Sequence, residues 1–438
     1  MRPGKGDRDL GYNFFKITQL KESFRQKLNT FVGSLGSAIS DGKKISFADN
    51  DISYVLQLQH DRIKEKGLNL EMEIYDRDTK TNATVGSEWK DEHYESYVCN
   101  EQLGIKRKFT RDGKKVYADN KKSVLYTTIT DVTTGIHPDD ETISCPNCGS
   151  VSTIARIQGG CPYCGTVYKM DDLFPKVTSY YSLEDVGIAG NEHKKSMGLF
   201  ITITGIVFAL IPVIANFPDY FALLTGQSDD IELIFTPFLL LPIGLLAGYF
   251  FYSIFLAIRL ISVGSRQSSG KWGTIGSRAK FEQRMRAYSP EFSFEYFTSK
   301  AISLIKTAVY APNEQELLFY RGGPMDPWFK DIIDLNYGGA LGVVGIKEEN
   351  GTVTITTDAF FDVLHVAGDK IKSKRSTFRA VFQRRTDIPI DMGFSMTKIQ
   401  CPTCGGSFNA VQNKMCPHCG NAYDIESQDW VLVSIERE

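Results

Sequence analysis

Eight of the nine cysteines fall into two sets with one spacing, and nothing else in the chain constrains its folding so strongly. The first set is Cys145-Pro-Asn-Cys148 with Cys161-Pro-Tyr-Cys164; the second is Cys401-Pro-Thr-Cys404 with Cys416-Pro-His-Cys419. Two residues between cysteines form a turn that aims both sulfurs at one point, and a loop of about a dozen residues brings a second pair to complete a tetrahedron. A glycine follows the second cysteine of every pair (Gly149, Gly165, Gly405, Gly420), where left-handed φ lets amides approach the thiolates. Four thiolates close the coordination shell, which predicts two structural Zn2+ ions and leaves no place for a catalytic water. A redox reading would need a single pair beside a βαβ unit. His418 lies inside a knuckle whose four cysteines already saturate it, and Cys99, without a partner at ligand spacing, reads as a small buried residue.

Two uncharged runs lie between the cysteine sets: Leu199 to Asn216, and Leu233 to Ile258. A span needs roughly 20 apolar residues, and proline is tolerated within it, so 197–217 and 233–262 are expected to cross a membrane. The connection 218–232 carries Asp219, Asp229, Asp230 and Glu232 and no lysine or arginine. Lys194 and Lys195 precede the first uncharged run, and Arg259, Arg266, Lys271, Arg278, Lys280, Arg284 and Arg286 follow the second. The positive-inside rule then predicts a multi-pass cell-membrane protein with a short external loop and both termini cytosolic. Thiolate metal sites suit the same reducing side. Met1–Asn13 is charged and lacks the apolar stretch of a signal peptide. Neither uncharged run carries an acidic or basic group of the kind that marks an ion pathway.

The expected fold class is α+β. Residues 1–140 read as an N-terminal α+β domain, 141–172 as the first ribbon, 173–196 as a strand and linker, 263–288 as a basic linker and 289–438 as an α+β domain with the second ribbon at 399–424. Periodicity predicts helices over Ile17–Phe31 and Asp51–Lys66. Strands are expected over Leu68–Tyr75, Glu92–Asn100, Gly104–Arg111, Lys115–Asp119, Ser123–Asp131 and Phe174–Tyr181, with a turn at Asp112-Gly113. After the Gly- and Ser-rich stretch Gly264–Gly276, a helix is expected from Ser289-Pro290 to Tyr310 and a short one over Glu314–Tyr320. Strands follow over Lys330–Tyr337, Leu341–Lys347, Thr352–Thr357, Phe361–Val366, Ser376–Arg385, Met392–Ile399 and Trp430–Glu436, with a hairpin at Asn350-Gly351. Each ribbon reads as an insertion between strands, and the sequence outside the ribbons shows no duplication of the flanking domain.

From Phe281 to Glu438, about a third of the chain, three features stand out: a helix start Pro290-Glu-Phe-Ser-Phe-Glu-Tyr-Phe297, two helices before an antiparallel sheet, and a final strand Asp429-Trp-Val-Leu-Val-Ser-Ile435. In these the stretch resembles the membrane-associated domain of the mitochondrial import-motor anchor family, whose bacterial relatives are often zinc-ribbon membrane proteins. The resemblance implies a cone-shaped fold like nuclear transport factor two, a role in docking partners at a membrane, and no catalytic residues. The ribbon before the last strand and the chain's own apolar pair depart from that family.

Among other candidates, Asp358, Asp362 and His365 are close in sequence, but Asp362 and His365 differ by three and face opposite sides of a regular strand. Gly338-Gly-Ala-Leu-Gly342-Val-Val-Gly345 superficially resembles a phosphate loop, yet opens no helix and lacks Lys-Ser/Thr. The basic run Lys370, Lys372, Lys374, Arg375, Arg379, Arg384 and Arg385 reads as a charged sheet face, with its first four members as candidate lipid-headgroup contacts. Trp272 and Phe281 are candidate interfacial anchors. A net charge of −2 argues against a whole-protein nucleic-acid field. The reading that follows is a non-enzymatic, membrane-anchored docking protein whose partners are the bilayer and membrane-associated proteins, with self-association left open. The alternatives are a small-ligand binder or enzyme using the cone pocket, and a membrane-tethered nucleic-acid binder acting through the ribbons.

Overall fold

The computed structural model describes residues 20–438 apart from 78–84, 91–93, 133–141, 146–147, 158–159, 166–174, 185–190, 228–229, 231, 269–271, 291, 389–398, 402, 405–406, 412 and 428. The chain is mixed α+β and divides into two compact units: Met1–Glu184 with Gly270–Glu438, and Asp185–Ser269.

The larger unit begins with α1 (Glu22–Asp41) and α2 (Asn50–Glu65). Phe24, Leu28, Phe31, Val32, Leu35 and Ile39 recur at helical spacing and bury one face of α1. This carries the helix ten residues beyond the expected Phe31, to a left-handed cap at Gly42. Asp49 caps α2 by accepting a hydrogen bond from Ile52 N at 2.7 Å. Then come β1 (Asn69–Tyr75), β2 (Val85–Lys90), β3 (Tyr94–Arg111) and β4 (Lys114–Val132). The four strands expected between Glu92 and Asp131 are two long ones, because pairing runs unbroken through Leu103↔Ser123 and Gly104↔Lys122. The first ribbon holds β5 (Thr142–Ser144), β6 (Val151–Thr153) and the helical turn α3 (Ile154–Ile157), and β7 (Lys176–Glu184) follows it.

The smaller unit contains α4 (Asn191–Ala215), α5 (Phe217–Leu224) and α6 (Glu232–Ser268). Met197–Ala215 and Glu232–Phe255 are long and apolar enough to cross a membrane. Rings of Phe200 and Tyr252 meet at 5.7 Å, Gly248 faces Thr204, and Gly244 faces Phe208, so α4 and α6 run antiparallel. A Cβ on Gly244 would come within 2.5 Å of Phe208 Cβ, so small residues set this close approach.

Back in the larger unit are α7 (Trp272–Met285), α8 (Phe294–Tyr310), β8 (Ile332–Glu349), β9 (Thr352–Ala367), β10 (Lys370–Arg385), β11 (Ile399–Gln400), β12 (Ser407–Phe408) and β13 (Val431–Arg437). Several expectations change here. Much of the anticipated linker is helix, in α6 and α7. Ser293, whose hydroxyl accepts from Tyr296 N at 3.3 Å, starts α8 four residues after Ser289. Glu314–Tyr320 forms only one 3-10 turn, at Glu314–Glu316, after which Leu318 and Arg321 donate to Val411 O and Leu432 O instead of extending a helix. The strand pairs expected within 330–347 and 352–366 are the single strands β8 and β9, with irregular pairing between Tyr337 and Leu341. Most of Met392–Ile399 lies outside the described residues. At Asn350-Gly351 both residues take positive φ, 51° and 73°, as a tight hairpin requires.

The larger unit uses one topology twice. Its two main sheets run β1-β3-β4-β7, with β2 against β3, and β8-β9-β10-β13. Each ribbon sits in the connection between two paired strands, β4 to β7 and β10 to β13, as the sequence suggests. Each half has a helix whose following loop makes a parallel bridge to the last strand, Ala48 to Val177 and Tyr320 to Leu432. In the second half the 3-10 turn Pro327–Asp331 takes the place of α2 before the first strand. The sequence hides this repeat because only the cysteines recur.

The halves share buried contacts. Val55 and Leu58 of α2 join the C-terminal core, while Ile333, Leu364 and Ile371 join the N-terminal one. Arg62, 2% exposed, donates to the carbonyls of Tyr310, Ala311, Phe329 and Lys330. At the sheet edges, Asn336 of β8 mimics a strand: its Oδ1 accepts from Ser182 N at 3.1 Å and its Nδ2 donates to Ser182 O at 2.6 Å. Gly339, at φ 73°, leaves room there for Leu183 and Tyr181 of β7, which a Cβ would meet at 3.3 Å. The glycine-rich stretch thus serves close approach between strands.

Candidate metal centres and inter-sheet cleft

In each ribbon the four cysteines converge, with all Sγ atoms within 4.8 Å of one another. Cys145 and Cys164, and Cys148 and Cys161, lie 3.7 Å apart; so do Cys401 and Cys419, and Cys404 and Cys416. A disulfide would require about 2.05 Å. A tetrahedron of thiolates about 2.3 Å from a zinc ion has edges of about 3.8 Å, so these sulfurs fit that geometry and could hold a metal ion. The knuckle turns explain the convergence. Gly149, Gly165 and Gly420 adopt φ of 73°, 70° and 75°, and their amides donate to Cys145 O, Cys161 O and Cys416 O at 2.8 Å. Gly405 lies outside the described residues. The Ser150 hydroxyl sits 3.0 Å from Cys148 Sγ and 3.2 Å from Cys161 Sγ, an outer contact to the sulfurs. His418 is exposed and stands outside the four-sulfur group.

The two centres are seated differently. Ile399, Cys401, Phe408, Val411, Cys416 and Ile425 belong to the C-terminal core, whereas among the described residues of the first ribbon none enters either large core. The ribbons adjoin through β6 and β11. Cys99 is 2% exposed, and burial pushes its thiol up to about 12, an unreactive state.

A second feature was not legible in the sequence: a cleft of about 340 Å3 between the first sheet and residues of β8, β9 and β10 in the second. Arg107 of β3 crosses its floor, donating to Asp119 at 3.0 and 2.5 Å and to Asp334 at 2.5 Å. Burial opposes the charge on Arg107, but both carboxylates outweigh it and hold the guanidinium above its ordinary value. Gln59 donates to the other Asp334 oxygen at 2.9 Å. These residues come from four elements far apart in the chain.

The remaining sequence candidates are dispersed. Asp362 lines the cleft and accepts from Arg375 at 2.9 Å, while the His365 ring meets Trp328 at a tilt, with centroids 5.3 Å apart. Burial and then nearby Lys372 hold the His365 imidazole below its usual value. Lys370, Lys372 and Lys374 are exposed on β10, and Arg375 also lies 3.9 Å from Glu184. Phe281 is not an interfacial anchor: it is fully buried among Phe292, Phe294 and Phe297, because α7 folds back onto α8. The side chain of Trp272 lies outside the described residues.

No family model, curated protein or solved structure matches the chain.

Proposed function

We propose that the chain is a membrane-anchored docking protein whose α+β body is stapled by two zinc ions and presents its paired ribbons to membrane-associated partners. The observation that carries this reading is the placement of exposed apolar groups. Outside the smaller unit, the large exposed hydrophobic residues among those described are Tyr163, Val344 and Met415. Tyr163 lies within a knuckle and Met415 directly before one, on ribbons that adjoin. Aromatic and methionine side chains displayed on a rigid support suit protein recognition.

In this reading α4 and α6 form a two-span hairpin with both termini cytosolic, and the tether raises the concentration of the ribbons near membrane partners. Each half of the body is a cone like nuclear transport factor two, and the C-terminal half relates to the import-motor anchor domain. Exposed Lys370 and Lys372 offer headgroup contacts, each contributing about 1 kcal/mol when near an anionic surface. Zinc supplies the folding free energy of the ribbons, on the order of 10 kcal/mol per site.

The test places a photo-crosslinking residue at Tyr163 or Met415 in native membranes, with Lys114 as an exposed control position. A discrete adduct that forms from the ribbon positions and disappears with Cys161→Ser supports the reading. Adducts identical to those from Lys114, or indifferent to Cys161→Ser, overturn it.

A further inference from the structure

Lys306 of α8 is 7% exposed and lines the inter-sheet cleft. Its ammonium lies 5.1 Å from the centre of the Tyr180 ring, and no hydrogen bond or ion pair engages it among the described residues. Asp334 attracts it but has both oxygens committed, Oδ1 to Gln59 and Oδ2 to Arg107. A buried ammonium without a partner is costly, and a bound anion offsets that cost.

The rest of the cleft is already neutralised. Arg107 is paired with Asp119 and Asp334, Arg375 with Asp362 and Glu184, and Lys121 reaches Asp119 at 3.9 Å. Among the charged lining groups, Lys306 and Lys374 alone remain without an ion-pair partner among the described residues, and both are cations. Ile39, Met72, Ile105 and Leu364 supply apolar wall. The volume, about 340 Å3, falls at the small end of ligand pockets.

We propose that this cleft binds a small organic anion, a carboxylate or phosphate monoester on an apolar body, with its charged end on Lys306 and Lys374 at the rim. The site is formed only when the two halves of the body are joined, so occupancy would tighten their association. This inference stands apart from the docking reading: crosslinking at the ribbons and anion binding in the cleft fail independently.

The experiment is calorimetric titration of the full-length chain in phosphatidylcholine nanodiscs with phenyl phosphate, benzoate and inorganic phosphate. Saturable binding of phenyl phosphate or benzoate, weakened about tenfold or more by Lys306→Met and a few-fold by Lys374→Ala, supports the site. Tighter binding of phenyl phosphate than of inorganic phosphate shows use of the apolar wall. Absence of saturable binding at millimolar probe, or binding unchanged in Lys306→Met, overturns it. Should Lys306→Met not fold, Lys306→Gln removes the charge while keeping a polar end, and unchanged binding there overturns it equally. Nanodiscs containing phosphatidylglycerol separate the sources: competition by the lipid identifies a headgroup phosphate, and undiminished probe binding identifies a soluble acid.

Discussion

Arg62 closes the end of the helix that finishes at Tyr310, donating from Nη2 to the Tyr310 carbonyl at 3.2 Å. The same guanidinium reaches Ala311 O at 3.0 Å and Lys330 O at 2.7 Å, so a residue of the first half satisfies backbone groups of the second. Burial holds Arg62 below its ordinary value, opposed by Glu65.

Arg62→Met is therefore expected to strand buried carbonyls and to cost about 3–5 kcal/mol, with Arg62→Lys rescuing little because an ammonium lacks the planar fork. Denaturant unfolding of the purified protein measures both. Native-like stability in either variant would contradict the role given to the guanidinium.

Lys300, 6% exposed, lies 2.7 Å from Asp429 and 3.4 Å from Asp51. Burial opposes its charge, and the carboxylates outweigh this, holding the ammonium well above the usual lysine value. Its stabilisation is therefore present below the ordinary lysine pKa and lost only as pH rises through the higher folded value. Lys300→Met should cost about 3–5 kcal/mol at neutral pH by leaving buried carboxylates unpaired, and Asp429→Asn in the same background should recover part of that loss. A double-mutant cycle showing additive losses would reject the coupling.

Lys306 behaves in the opposite sense. Burial lowers its pKa to about 8. Between that value and the ordinary lysine range the unfolded chain holds a proton that the folded chain has released, so stability rises with pH there, by at most about 1.4 kcal/mol per pH unit. In the ligand-free protein, Lys306→Met should abolish that slope and raise stability at neutral pH by about 1–3 kcal/mol. A pH series of unfolding midpoints decides this, and an unaltered slope counts against it.

The unequal seating of the two four-cysteine clusters predicts unequal consequences. Metal analysis should find two zinc ions per reduced chain, and Cys401→Ser should loosen the C-terminal core by several kcal/mol. Cys145→Ser should confine its damage to the first ribbon, since none of that ribbon's described residues enters either large core. Hydrogen exchange over β8, β9 and β10 in each variant separates the cases. Equal deprotection would show that the seating has no energetic effect.

The short connection between α4 and α6 is expected outside the membrane. Gln227→Cys should react with an impermeant maleimide added to intact cells, whereas Lys114→Cys should react only after permeabilisation. The reverse pattern would invert the proposed topology.

What the sequence revealed was chemistry held in short spacings. The cysteine knuckles, the uncharged runs and the Asn350-Gly351 hairpin are local, and the structure contains them. Strand lengths were harder to read: polar and glycine residues such as Ser123 and Gly104 look like breaks, yet cross-strand pairing carries the backbone through them. The repeat escaped because α2 has shrunk to a 3-10 turn in the second half. The cleft escaped because Gln59, Arg107, Lys306 and Asp334 meet only through tertiary packing, with no periodic signature to mark them. Lys306 in particular sits in a helix where a lysine ordinarily signals solvent.

Both ribbons precede the strand that completes their sheet, β7 in one half and β13 in the other. During synthesis, β4 and β10 emerge with one edge still open, and the segment that will cover it arrives only after a cysteine hairpin has been made. Were the second ribbon, which is seated in the C-terminal core, left unformed for want of metal, the margin of β10 would stay bare, a state prone to clumping and available to quality-control proteases. If the two cysteine clusters take metal, its supply bears in this way on whether the molecule matures.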